Sequence, residues 1–265
     1  GNITLGQLQT DGQAIDIVTN NGTVTFTGDV NADVGTVSVS ATGAISQTAG
    51  GIVADTINAK TVNDAGSAIT LDSATNNAVT VNLQTRNVAD DANAAGTLSY
   101  RDSDGFEVAK IGTTANVTLR SGGAVTQSDL IEAAGLELLG SGPYTLTNAG
   151  NAVTTLAGNV TGAIDFRDSN GISIGTVNTV GLTASNVTLV AGDAIGQSQA
   201  ITTGAFVGKT LKDGGAAITL TNTGNAVTSI DLRSRNAADS ADAAGAISYR
   251  DSDGFGVVKV STTAG

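Results

Sequence analysis

Tyr100-Arg101-Asp102-Ser103-Asp104-Gly105-Phe106 returns, letter for letter, as Tyr249-Arg250-Asp251-Ser252-Asp253-Gly254-Phe255. Between them lies a third copy with three substitutions, Phe166-Arg167-Asp168-Ser169-Asn170-Gly171-Ile172. Seven identical residues 149 positions apart mark a duplicated unit. A duplicated surface is more often a shaft or an array than a single reaction centre.

Working outward from these turns, other landmarks recur in the same order. Each unit opens on a small apolar element ending in Gln: Gly43-Ala44-Ile45-Ser46-Gln47, Gly123-Ala124-Val125-Thr126-Gln127 and Asp193-Ala194-Ile195-Gly196-Gln197. A short apolar run and an Asn-rich turn follow, as in Ile69-Thr70-Leu71 before Asn76, Tyr144-Thr145-Leu146 before Asn151, and Ile218-Thr219-Leu220 before Asn225. The units therefore run over residues 43–122, 123–192 and 193–265, with starts 80 and 70 residues apart. Residues 1–42 form a partial unit, because Ile3-Thr4-Leu5-Gly6-Gln7-Leu8 matches the segment from Ile172 to Val177. With no initiator Met and a repeat cut at each end, residues 1–265 read as a single repeat segment excised from a larger protein.

Units one and three share an Ala-rich, acidic insert that unit two lacks, Arg86 to Gly96 and Arg235 to Gly245. A scaffold that gains or loses this stretch between neighbours carries it outside, as a protruding loop or a short helical turn.

The composition selects strand and turn. Of 265 residues 40% are hydrophobic but only 3% aromatic, with three Tyr, five Phe, no Trp and no Met; Gly numbers 35 and Pro 1. β-Branched residues punctuated by Gly, Asn and Asp are the vocabulary of strands and tight turns. Short strand-like segments recur about every 8–12 residues, among them 23–27, 36–39, 68–71, 78–81, 116–119, 144–146, 163–166 and 172–174. No sustained helical period is present; the stretch from Asp129 to Leu139 is ambiguous, and its Gly135 weakens a helix there.

A string of small β-sandwiches would need inter-sheet aromatics that this chain lacks. A parallel β-helix fits instead, because stacked coils bury narrow Val, Ile, Leu and Ala columns and their turns support Asn, Thr and Ser ladders. The predicted fold is all-β, a right-handed parallel β-helix (β-solenoid) forming a repeat rod. Coils of roughly 20–25 residues climbing about 4.8 Å each would give about 11–13 coils and a length on the order of 50–60 Å.

Charge and chemistry exclude several functions. The formal charge is −12, and of 24 acidic residues only Glu107, Glu132 and Glu137 are Glu. Asp in this abundance belongs to turns, and the acidity argues against nucleic-acid binding. Without Cys or His, thiol, Ser-His-Asp, Cys-His and zinc chemistry are ruled out. No run approaches the roughly 18 apolar residues of a bilayer span, so no membrane insertion is expected, and the N-terminus has no secretory signal pattern.

The Asp102–Gly105 and Asp251–Gly254 turns resemble the first half of a calcium loop. Neither has the Glu that closes such a loop, and Asn170 replaces an acid in the middle copy, so tight turns with Asp capping backbone amides are expected. Arg101, Arg167 and Arg250, together with Asp90, Asp91, Asp239 and Asp242 of the inserts, offer material for a repeated binding stripe. Paired carboxylates for polysaccharide cleavage are numerous, but a reaction centre has no need of identical copies. No catalytic, metal or cofactor-binding residue is assigned, no cofactor is expected, and the chain is not read as an enzyme.

Leu146 to Asn151, Asp168 to Gly171, Ile172 to Val177 and the opening from Gly192 to Ser198 resemble the central repeats of filamentous haemagglutinin-like exoproteins, and the likeness covers most of the chain. It implies the shaft of a large adhesin exported by two-partner secretion through an outer-membrane partner to the Gram-negative cell surface. Such a shaft serves cell–cell or cell–surface attachment and biofilm formation, with surface glycans, exopolysaccharide or a host or bacterial receptor as partners. Alternatives are the shaft of a contact-dependent inhibition toxin-delivery protein and, less favoured, a polysaccharide-binding or polysaccharide-degrading β-helix.

Overall fold

A computed structural model describes residues 1–264. They form strands, turns and loops with no helix. Two compact units divide the chain, Gly1–Ala134 and the part from Gly135 onward. Their boundary does not coincide with the repeat boundaries at residues 43, 123 and 193.

In the first unit each strand pairs in parallel with the strand one turn further along. One side carries six rungs: Ile3–Leu5, Val24–Phe26, Ile45–Gln47, Ile69–Leu71, Leu98–Asp102 and Asn116–Ser121. In the second unit the corresponding ladder joins Tyr144–Leu146, Ile164–Asp168, Asn186–Ala191, Ile201–Leu211, Ala226–Arg235 and Gly256–Ser261. Each unit is thus a parallel β-solenoid. Coil length varies around the expected 20–25 residues, from 18 between Leu156 and its partner Ile174 to 29 between Ile69 and Leu98. The longest coils hold the inserts.

In-register stacking makes every inward position a column, because alternate side chains of a strand face opposite sides. Val24, Ile45, Ile69, Leu98 and Val117 form one such column in the first unit, all buried. Ile172, Ile195, Ile218 and Ile247 form another in the second. Burying each aliphatic side chain contributes about 1.5–3 kcal/mol, and the parallel ladder satisfies the backbone between coils.

The expected core without large side chains needs correction. Phe26, Tyr100, Tyr144, Phe166 and Phe206 are fully buried, so most of the few rings go inside. Small neighbours make room for them: a Cβ on Gly208 would lie 3.0 Å from both the Phe206 ring and Leu232. The ambiguous stretch after Asp129 is a strand, Ile131–Gly140, with Gly135 buried in it.

The inserts are external loops without helix. Each is closed by an isolated antiparallel bridge, Arg86 with Asn93 and Arg235 with Asp242. Each turns through a left-handed Asp, Asp90 at φ 57° and Asp239 at φ 55°, a conformation that the short Asp side chain tolerates better than most.

Candidate functional site

The residues that repeat most faithfully are those on which a functional site would be built. Strand Leu98–Asp102 alternates so that Leu98, Tyr100 and Asp102 point inward while Ser99 and Arg101 face out. The Asp102 carboxylate accepts from the Tyr100 hydroxyl at 2.5 Å, the Ala78 amide at 3.0 Å and the Asp104 amide at 3.0 Å. Burial pushes its pKa up to about 6, against the opposing pull of those donors. Burial likewise raises the Tyr100 pKa, helped by the adjacent Asp102 charge. The Asp-Ser-Asp-Gly segment is therefore a turn whose first acid caps amides of its own chain, as its sequence predicts.

The other two copies repeat this with small variations. Asp168 accepts from the Val153 amide at 2.7 Å and the Asn170 amide at 2.8 Å; Phe166 supplies no hydroxyl, and burial raises the Asp168 pKa. Asp251 accepts from the Tyr249 hydroxyl at 2.6 Å and the Val227 amide at 3.1 Å.

A second repeated element was not assigned from sequence, although its residues stand in the repeat. The buried Asn76 amide oxygen accepts from Gln47 Nε2 and the Ile52 amide, both at 2.8 Å. Its Nδ2 donates to Gln47 Oε1, the Leu71 carbonyl and the Arg101 carbonyl at 3.0–3.1 Å. One side chain thus ties three successive coils. Asn225 does the same with Gln197, the Ile201 amide and the Leu220 and Arg250 carbonyls. Asn151 donates to the Leu146 and Arg167 carbonyls. The signal available in sequence was the fixed order of Gln, Asn and Arg; the contact joins residues 29 positions apart, which local patterning cannot reveal.

The insert acids are also occupied. Asp90 binds Lys60 Nζ at 2.6 Å and Arg86 Nε at 3.2 Å, and these cations, Lys60 foremost, hold its pKa low. Asp239 repeats this with Lys209 at 2.6 Å and Arg235 at 3.0 Å. Asp242 takes Arg235 Nη1 at 2.5 Å, and Asp91 accepts from Asn87 Nδ2 at 2.7 Å. No ion pair among the described residues includes Arg101, Arg167 or Arg250. Arg101 lies in register beside Arg120 on the next rung, both facing outward.

Equivalent residues do not line up, which overturns the binding stripe. In the first unit Ile45 stacks in the column that reaches Val117, whereas its equivalent Val125 stacks on Phe106 in another. In the second unit Tyr144 heads the column through Ile164 and Val187, while its equivalent Ile218 stands between Ile195 and Ile247. A repeat spans three coils and one further side, so each copy of a motif is carried to the next side of the coil. The turns at Asp168 and Asp251 accordingly sit on different sides of the second unit.

Residues 95–161 match a family described as repeats of unknown function (DUF5649). The match begins at the end of the first insert and includes the Tyr100 turn and the Gln127 element. No curated protein and no solved structure matches the chain.

Proposed function

We propose that this chain is shaft material of a bacterial surface exoprotein. In this reading the protein is exported through an outer-membrane secretion partner and serves attachment to cells or surfaces and biofilm formation. The carrying observation is where the repeated polar groups go. Gln47 and Asn76, Gln197 and Asn225, and the first Asp of each turn bond amides and carbonyls of adjacent coils. Residues duplicated for architecture support a stack, and a stack with like coils is extended by adding more of them. The resemblance to filamentous haemagglutinin-like repeats supports the same reading.

Attachment by such a shaft works through many weak contacts whose effective concentrations multiply. Because each repeat turns its motif to a new side, contacts come from several directions rather than from one stripe. The test is attachment of beads coated with the chain at graded densities to bacterial and host-cell surfaces. Attachment should rise more steeply than density; beads that fail to attach at any density contradict the proposal.

A further inference from the structure

On the outer face of the first unit a shallow trough of about 340 Å³ crosses four coils. Its walls are two outward columns of polar side chains in register. Ser38, Asn58 and Asn82 form one; Ser40, Lys60 and Gln84 form the other. Asp16 and the exposed Val18 close its first rung.

These side chains are used differently from the other polar residues of the repeat. Asn76, Gln47 and Asp102 are committed to neighbouring coils, whereas Ser38, Ser40 and Asn58 make no side-chain hydrogen bond to any described residue. Gln84 donates to Asn82 at 2.8 Å, leaving further donors and acceptors on both amides. Lys60 has its charge matched by Asp90. On a chain of net charge −12, the trough thus carries Asp16 at one end and otherwise hydroxyls, amides and apolar side chains with the Lys60 charge matched.

The third repeat shows what the same scaffold looks like without it. There Val207 stands for Asn58, and Asp231 and Arg233 stand for Asn82 and Gln84 and pair with each other. The fold does not require the amides, and their presence in the first unit calls for a separate account.

We infer that this trough binds an uncharged glycan strand laid along the coils. Rungs about 4.8 Å apart place a hydroxyl or amide beside each successive sugar ring, and such groups both donate and accept as sugar hydroxyls do. An anionic glycan would gain no net positive charge here and would meet Asp16 and the overall acidity. This deepens the attachment reading and rests on it, since it names one of the weak contacts.

The test is amide chemical-shift mapping of the ¹⁵N-labelled chain titrated with cellohexaose, chitohexaose and, as the charged comparison, oligogalacturonate. A neutral hexasaccharide should shift the amides of Ser38, Ser40, Asn58 and Asn82. Asn58→Val, which installs the third repeat's residue, should keep the remaining spectrum and weaken binding about ten-fold, the size of one lost hydrogen bond. Absence of shifts at the trough, preference for oligogalacturonate, or undiminished binding by Asn58→Val would each overturn the inference. Bead attachment that survives Asn58→Val while the trough stays silent sinks the glycan site and leaves the shaft reading standing. Wild-type beads that never attach sink the shaft reading itself.

Discussion

The two identical heptapeptides, Tyr100–Phe106 and Tyr249–Phe255, occupy different surroundings. The first lies between two coils: Leu98, Tyr100 and their neighbours pair with Ile69–Leu71 on one side and Asn116–Ser121 on the other. The second pairs through Tyr249 with Leu220 alone, on the last described coil. Both keep the edge-to-face contact of Tyr on Phe, at 5.1 and 4.7 Å between ring centres. Yet Phe106 is 3% exposed and Phe255 38%. The carboxylates diverge as well. Asp102 is raised by burial; at Asp251 burial is outweighed by the Tyr249 hydroxyl and backbone amides, and the pKa falls below the ordinary value. Identical sequence therefore keeps the Tyr–Phe contact and the Tyr–Asp hydrogen bond, while the turn backbone differs, with Gly254 at a positive φ of 116° and Gly105 outside that region.

The largest expected effect separates the two phenylalanines. Phe106→Ala should destabilise by about 3–5 kcal/mol, as for a fully buried ring, and Phe255→Ala by roughly 60% of that, since 38% of it is exposed. Urea midpoints of the two variants measure the gap, and equal losses would break the comparison.

Next comes removal of the tyrosine hydroxyl. Tyr100→Phe should cost about 1–2 kcal/mol and raise the Asp102 pKa further, because that hydroxyl lowers it. The middle repeat, with Phe166 above Asp168, already lives without this bond. Carboxyl ¹³C titration reads the shift, and an unchanged Asp102 would count against the hydrogen bond.

The pH dependence has opposite signs at Asp102 and Asp251, the latter bonded to Asp253, whose pKa it raises. Asp102 has a folded pKa of about 6 against an ordinary 3.8, so the folded chain holds a proton that the unfolded chain has released between those values. Its contribution to stability is full below about pH 4 and is lost as pH rises through about 6. The depressed Asp251 contributes above the ordinary carboxylate range, and its contribution is lost as pH falls through its lowered pKa. The stability difference between wild type and Asp102→Asn should thus be larger at pH 4 than at pH 7. For Asp251→Asn it should shrink in strong acid.

The smallest effect is expected at the outward arginines. Arg101→Ala should change stability by less than about 0.5 kcal/mol, since no ion pair among the described residues includes it. A larger loss in the same urea assay would reveal an unrecognised role.

Much of this was legible in the sequence. β-Branched runs and Gly, Asn and Asp turns announced strands at Thr36–Ala41, Asn116–Ser121 and Tyr144–Leu146, and scarce aromatics pointed to stacked coils. The Asp102 turn was readable because Asp bonds amides close by in the chain. What escaped was the phase of the repeat. Insert-bearing coils reach 29 residues while others take as few as 18, so repeat spacings of 80 and 70 cannot be divided into coils without the pairing register. The Gln47–Asn76 tie and the placement of Phe206 against Gly208 depend on that same register and were hidden for the same reason.

Parallel, in-register stacking underlies all of this, and a chain without cysteine allows a clean probe of it. Ser46 pairs with Thr70, and Glu107 with Thr126, on outward positions of adjacent rungs. Facing rungs lie about 4.8 Å apart, within disulfide reach. Under mild oxidation, Ser46→Cys/Thr70→Cys and Glu107→Cys/Thr126→Cys should each close an intramolecular disulfide in the folded chain. If both pairs stay reduced while folded, the coils do not stack as described.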